Sequence, residues 1–144
     1  MADLPAIGSR PFGGIKNLLR PLAIPLSGLT AYRQRMETIA NNMANMDTMM
    51  GPNGEPTPYR RQVAILEQQL DGGVRVAGIQ DDNSEFITEY DPGHPMADEL
   101  GYVRRPNVDI HVEVTDMMIS RRMFEANATV FDAAKAMLRR ALDI

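Results

Sequence analysis

MMISRRMFEANATVFDAAKAML, residues 117–138, is the stretch that decides the fold. Met117, Phe124, Phe131 and Leu138 recur every seven residues, and Ser120, Asn127, Ala134 and Ala141 fall between them. Steps alternating between three and four keep all eight positions on one face of a helix, the pattern of a coiled-coil seam. A second stripe lies one residue off the first: Ile119, Met123, Ala126, Val130, Ala133 and Met137. Together the two make an apolar face wider than one partner helix covers, with small residues at 120, 126, 133, 134 and 141 that permit close helix approach.

A matching stripe sits near the other end of the chain, where Leu29, Tyr32, Met36, Ile39, Met43 and Met46 recur at alternating threes and fours. The expected first long helix starts at Ser27 as N-cap and runs to about Met46. Asn41, Asn42, Asn45 and Asp47 crowd its last turn with side chains that compete for backbone hydrogen bonds, which marks a defined stop. Before it, Pro5, Pro11, Pro21, Pro25, Gly8, Gly13 and Gly14 argue against one continuous helix, leaving room for a short one over 15–22.

Between the helical ends the signals are those of turns and strands. Gly51-Pro52-Asn53-Gly54-Glu55-Pro56-Thr57-Pro58 is a turn-rich loop. Three short strand-like segments follow, near 59–66, 74–80 and 85–90, with Gly72-Gly73 as a hairpin turn between the first two. So small a sheet needs a helix or a neighbour to lean on. Asp91-Pro92-Gly93-His94-Pro95 is a further rigid turn, and 101–114 reads as extended because Ile110, Val112 and Val114 alternate with Asp109, His111 and Glu113. The second long helix is then expected over 115–142. The fold class is α+β: long terminal helices paired as an antiparallel-type coiled-coil core, with a small β-hairpin or sheet inserted. The domain division is a Pro/Gly-rich head at 1–25, paired helices at 26–48 and 115–144, and a loop and β insert at 49–114.

The chain has 144 residues, one domain's worth, and a net charge of −4 that is unevenly spread. Five basic and no acidic residues lie between Arg10 and Arg35, and seven acidic and no basic ones between Asp81 and Gly101. The basic head is thin for nucleic acid or anionic lipid, and opposite-sign segments suit contacts between neighbouring copies. Cysteine is absent, which excludes disulfides, thiolate zinc sites and cysteine nucleophiles. Eleven methionines, several on the stripes, suit either an adaptable core or contacts repeated against non-identical neighbours. No apolar run approaches the ~18–20 residues of a membrane span. The Leu18–Leu29 segment is interrupted by Pro21 and Pro25 and runs into the seam, so it reads as an uncleaved segment and not as a signal peptide.

Candidate chemistry is sparse. Asp109, His111 and Glu113, with His94 and Asp91, hold metal-ligand types at no defined spacing and read as a solvated polar face, so no metal or cofactor is expected. Asp81-Asp82 and Asp98-Glu99 read as hydrated charge. Gly13-Gly14 lacks a nucleotide-binding pattern. The pairs Arg60-Arg61, Arg104-Arg105, Arg121-Arg122 and Arg139-Arg140 are scattered among acids without aromatic platforms, so salt bridges or solvated faces are expected. Asn127, on the seam, either fixes register or faces solvent. Nothing assembles a nucleophile, base and oxyanion site, and no enzyme is expected.

Ser27-Gly28-Leu29-Thr30-Ala31, Arg35-Met36, Ile39-Ala40-Asn41-Asn42-Met43-Ala44-Asn45 and Thr48 resemble the N-terminal signature of flagellar rod and hook axial proteins. Tyr90-Asp91-Pro92-Gly93-His94-Pro95, Gly101-Tyr102-Val103, Pro106-Asn107-Val108-Asp109 and Glu125-Ala126-Asn127 are similar to the proximal-rod members of that family, as is the short insert. The resemblance spans about 26–144, and the long head departs from it. It implies a structural subunit of the proximal rod of the flagellar basal body. Such subunits leave the cell through the flagellar export apparatus without signal-peptide cleavage, then assemble helically with terminal helices inside and the insert outside. The implied partners are further copies, neighbouring proximal and distal rod subunits, and a motor-ring or export-gate adaptor, with no nucleic acid and no membrane insertion. The assembly residues on this reading are Leu29, Tyr32, Met36, Ile39 and Met43 with Met117, Phe124, Phe131 and Leu138 for the inner seam. Ile119, Met123, Val130 and Met137 meet neighbours, and Asn41–Asn45 serve the helix end and inter-subunit hydrogen bonds. The rival readings are another axial subunit and a coiled-coil adaptor that binds nucleic acid or membrane through Arg10–Arg35.

Overall fold

In the computed structural model, which describes residues 13–143, the second long helix begins five residues earlier than the 115 expected from the sequence. Its N-cap is Asp109, in an extended conformation, whose carboxylate accepts the His111 backbone N–H at 2.8 Å. The element order is α1 (Gly13–Ala44), β1 (Gln62–Gln68), β2 (Val74–Asp81), β3 (Ile87–Tyr90), β4 (Tyr102–Arg105) and α2 (Ile110–Leu142). The alternation of Ile110, Val112 and Val114 therefore belongs to a helix. Val112 and Val114 are exposed, whereas Glu113 lies on the inward stripe, four residues ahead of Met117 and seven ahead of Ser120, and is buried. A run of three polar–apolar pairs fits a strand and a helix start equally well, and the cap with its tertiary partners decides.

α1 also differs from expectation. It does not begin at Ser27 but passes through Pro21 and Pro25 from Gly13. The first twelve residues of the expected head, and Ile144, lie outside the described residues. Proline in a helix interior removes one backbone hydrogen bond, crowds the carbonyl four residues back and costs about 3 kcal/mol. Here the two prolines are four apart, so both defects fall on one stripe. Pro25 is buried, and Pro21 lines an apolar hollow with Leu22, Ala134, Met137, Leu138 and Ala141, so tertiary packing offsets the local loss. Ser27 accordingly does not cap a helix; its hydroxyl donates to the Ile24 carbonyl at 2.6 Å.

The helices run antiparallel. Leu22 faces Leu138, Gly28 abuts Asn127 and Asn42 bonds Glu113, so positions rise along one helix as they fall along the other. The contact includes small residues: Gly28 and Ala134 are buried. A Cβ at Gly28 would stand 2.5 Å from Asn127 Oδ1, so only glycine admits Asn127 there. The Asn127 amide donates to the Met123 carbonyl at 2.8 Å.

The insert forms two separate two-stranded sheets, where the sequence suggested one. β1 and β2 make an antiparallel hairpin from Gln62↔Asp81 to Gln68↔Val74, with a bulge at Ile65/Leu66, and the hairpin packs on α1. β3 pairs instead with β4, from Ile87↔Arg105 to Tyr90↔Tyr102. The Pro92-Gly93-His94-Pro95 turn lies in their connection. There Asp91 and His94 side chains accept backbone N–H groups of Gly93 and Met96, and Gly101 takes φ +81 beneath Tyr90 and Pro92.

Gly28→Ala is expected to destabilise the fold by about 1–3 kcal/mol through overpacking, although alanine is the better helix former by about 1 kcal/mol. Adding Asn127→Ala should restore the loss. Urea unfolding midpoints of the two variants test this, and an unchanged midpoint for the single variant would refute the close contact.

Candidate functional site: a buried polar node and an uncovered helix stripe

Asn42 is 1 % exposed and Glu113 0 %; they face each other across α1 and α2 in the middle of a polar network. The Asn42 amide donates to the Gln62 carbonyl at 2.8 Å and to Glu113 Oε2 at 3.1 Å. Its oxygen accepts from Tyr59 Oη at 3.0 Å and from the Gln62 backbone N–H at 2.9 Å. Two donors and two acceptors are all that an amide side chain has, and all four are used.

The other Glu113 oxygen accepts from Arg61 Nε at 2.6 Å. Arg61 then reaches Asp82 at 3.3 Å and Asp116 at 3.4 Å, and Asp116 faces Arg35 at 3.8 Å. The Arg61 backbone N–H donates to Asn107 Oδ1 at 2.8 Å, while the Asn107 amide donates to the Asp82 carbonyl and to Ser84. One cluster thus ties α1, the entry and exit of the β1–β2 hairpin, the turn before α2, and α2 itself.

Burial works against the Arg61 charge, but the hydrogen bonds and charges of Glu113 and Asp82 outweigh it and hold the guanidinium above its ordinary value. Hydrogen bonds from the Ser84 backbone and hydroxyl, with Arg61 adding to them, hold Asp82 below the usual carboxylate range. Burial, then the charges of Asp81 and Glu113, pushes the Tyr59 hydroxyl up.

This arrangement corrects the reading of Asp109, His111 and Glu113 as one solvated strand face. Asp109 caps α2, His111 is exposed, and Glu113 points inward to Arg61. Among the described residues no three His, Cys, Asp or Glu side chains form a metal cluster, and no helix is long and apolar enough to cross a membrane. Arg61 belongs to the pair Arg60-Arg61, and its role was missed. The signal was present in Glu113: a carboxylate on the apolar stripe requires a buried cation. Asn41 and Asn45 lie at the α1 terminus, where Asn45 Nδ2 donates to the Asn41 carbonyl at 2.8 Å.

The inner stripes are the less exposed faces of the two helices. Met117, Phe124, Phe131 and Leu138 are half-buried, as are Leu29, Tyr32, Met36 and Met43, while Ile39 is buried. The second stripe of α2 is left uncovered, with Ile119, Met123, Val130 and Met137 exposed at 45–62 %. Nothing in the node is poised for reaction. Its groups are mutually satisfied, and the surface it supports is an apolar helix face, which is what a subunit of a larger assembly presents.

Comparison with known sequences agrees with that class. Residues 22–49 match the family described as "Flagella basal body rod protein", and residues 99–144 match "Flagellar basal body rod FlgEFG protein C-terminal". Proteins named flagellar basal-body rod protein FlgC are similar over most of the chain. The one from Bacillus subtilis is 42 % identical, covering 85 % of this chain and 95 % of the relative. Those from Borreliella burgdorferi and Salmonella typhimurium are 38 % and 35 % identical, each covering 88 % of this chain and 97 % of the relative. The chain belongs to the FlgC family of flagellar basal-body rod proteins.

Arg61→Met leaves Glu113 buried without its cation and is expected to cost about 3–5 kcal/mol, while Arg61→Met with Glu113→Leu recovers much of it; urea titration of both variants checks the pairing. The pH dependence has two signs. The Asp82 contribution is present above its unfolded pKa of about 4 and is lost as pH falls through the lower folded value. The Tyr59 contribution is present below its unfolded pKa of about 10 and is lost as pH rises through the higher folded value. Asp82→Asn should flatten the acid limb of the stability curve and Tyr59→Phe the alkaline limb.

Proposed function

We propose that this chain is a non-catalytic subunit of the proximal rod of the bacterial flagellar basal body. It assembles helically with further copies and with other axial proteins, transmits torque and helps to enclose the export channel. The observation that carries the reading is the uncovered α2 stripe of Ile119, Met123, Ala126, Val130, Ala133 and Met137 on a chain of the FlgC family. An exposed apolar face of this length marks a surface that a neighbour covers, and heterologous contacts that do not close into a ring build a helical filament. On this reading the inner stripes of α1 and α2 pair as a coiled coil in the rod core. The two small sheets lie outside, and the chain reaches its site through the flagellar export apparatus without cleavage. The Asn42 node, occupied within one chain, orients the insert on the helices, while Asn45 closes the α1 terminus and the exposed Asn41 remains for contacts there.

Val130→Asp is expected to leave the urea midpoint of the isolated chain nearly unchanged, because the side chain is exposed, and yet to abolish swimming and incorporation into purified basal bodies. Phe131→Asp should abolish both through loss of helix pairing. Full motility with Val130→Asp would remove the outer stripe from the assembly.

A further inference from the structure

The turn of α1 that carries both prolines is also the turn on which the tip of the β1–β2 hairpin rests. Proline has no backbone N–H, so Pro21 and Pro25 leave the carbonyls of residues 17 and 21 without their helical donors, and the ladder of α1 is thinnest there. Four contacts from the hairpin fall on this turn and the next. Arg20 Nη2 donates to the Asp71 carbonyl at 3.2 Å. Gly72, at φ +94, brings the tip within 3.6 Å of Ile24 Cδ1, measured from a Cβ built at that glycine. Gly73 approaches Ser27 so closely that a Cβ there would stand 2.7 Å from Ser27 Oγ. The Val74 backbone N–H donates to the same Ser27 oxygen at 3.0 Å, while that hydroxyl donates to the Ile24 carbonyl at 2.6 Å. Ser27 therefore links the hairpin to the backbone of the proline turn in a two-step chain of hydrogen bonds.

At its other end the hairpin is held by the buried node, through Arg61 and Gln62 at its entry and Asp82 at its exit. A two-stranded ribbon anchored firmly at one end and lightly at the other is a strap. The anchored end has a charge pair whose carboxylate, Glu113, is fully buried, and the tip has exposed or part-buried single hydrogen bonds.

We propose that the hairpin tip is a releasable strap that keeps α1 straight across Pro21 and Pro25. When the tip lifts, the Pro25 turn, residues 23–27, becomes a hinge, and the arm of α1 ahead of it, which carries Pro21 and Leu22, swings away from α2. With the strap closed, Pro21 and Leu22 line one apolar hollow with Ala134, Met137, Leu138 and Ala141 at the end of α2. With it open, those apolar side chains lose that cover and become available to a neighbouring chain. The straight and bent forms of α1 are thus two states of one chain, separated by a few weak contacts at the tip.

The chain contains no cysteine, so one engineered disulfide tests the strap cleanly. A Cβ at Gly73 would lie 3.3 Å from Ser27 Cβ, near the roughly 3.5–4.5 Å of a disulfide. The experiment is native-state hydrogen exchange, read by mass spectrometry, on the full chain carrying Ser27→Cys and Gly73→Cys. The oxidised chain should protect the amides of residues 22–30 about tenfold more than the reduced chain, which has lost the Ser27 hydroxyl. The amides of residues 137–142 should follow in the same direction, because the arm packs on them. A second variant, Gly73→Leu, should release the tip sterically and match the reduced chain in both segments. Failure of the disulfide to form under oxidant would show that the tip does not rest on Ser27. Equal exchange in the oxidised and reduced chains would remove the strap. A change over 22–30 with none over 137–142 would mean local fraying without a swinging arm.

Discussion

Glu113 has no solvent-exposed surface, and its carboxylate sets a requirement that the rest of the chain meets. A buried charge without a partner is far more costly than a buried hydrogen-bonded pair. Arg61 must therefore stay within 2.6 Å of it and Asn42 within 3.1 Å. Arg61 sits at the entry of the β1–β2 hairpin, so holding its guanidinium also holds the hairpin at a set angle to both helices. Asn42 adds direction to attraction. With its amide donors committed to Gln62 and Glu113, and its oxygen to Tyr59 and Gln62, a shift of any one partner leaves a buried polar group unsatisfied. Three segments distant in sequence are thus locked in one arrangement at the end of the helix pair where α1 finishes and α2 begins.

Away from the node, the helix pair is held by shape more than by charge. Gly28 meets Asn127 there, Ala134 is buried, and the larger seam residues are half-buried. A thin contact of this kind leaves much of each helix for other partners. The two faces of α2 differ in exposure: Ser120 is buried and Met117, Phe124, Phe131 and Leu138 are half-buried, whereas Ile119, Met123, Val130 and Met137 are exposed. A monomer that used all of its apolar surface for its own core would have nothing left for assembly, and this one does not. The marginal interior and the uncovered stripe are two aspects of one design, in keeping with membership of a family of rod subunits.

The β3–β4 sheet stands apart from this framework. Its outward face carries Tyr90 and Tyr102 in an edge-on pair at 5.3 Å, and Phe86 lies between the guanidinium groups of Arg60 at 4.3 Å and Arg104 at 5.0 Å. Cation–π stacking connects it to the node through Arg60, whose Nη1 also donates to the Asp82 and Ser84 carbonyls. Two of the arginine pairs for which the sequence suggested salt bridges or solvated faces join elements: Arg61 on Glu113, Arg60 and Arg104 on Phe86, and Arg105 on Glu89.

The faces of the helices were legible in the sequence because helical periodicity is a local property, written in residues three and four apart. The inner stripe from Met117 to Leu138, the outer stripe from Ile119 to Met137 and the hairpin turn at Gly72-Gly73 were all readable from spacing and residue type. Tertiary structure alone decided the rest. Glu113 and Asn42 are 71 residues apart, and Glu113 and Arg61 52 apart. No local pattern could show that a carboxylate in an alternating run turns inward, so α2 begins at Ile110 and not five residues later. The passage of α1 through Pro21 and Pro25 likewise depends on contacts from α2 and from the hairpin tip at residues 71–74. Local sequence determined which faces are apolar. Distant contacts determined where the helices start and which polar groups are buried, because those outcomes rest on partners that the chain supplies only once it has folded back on itself.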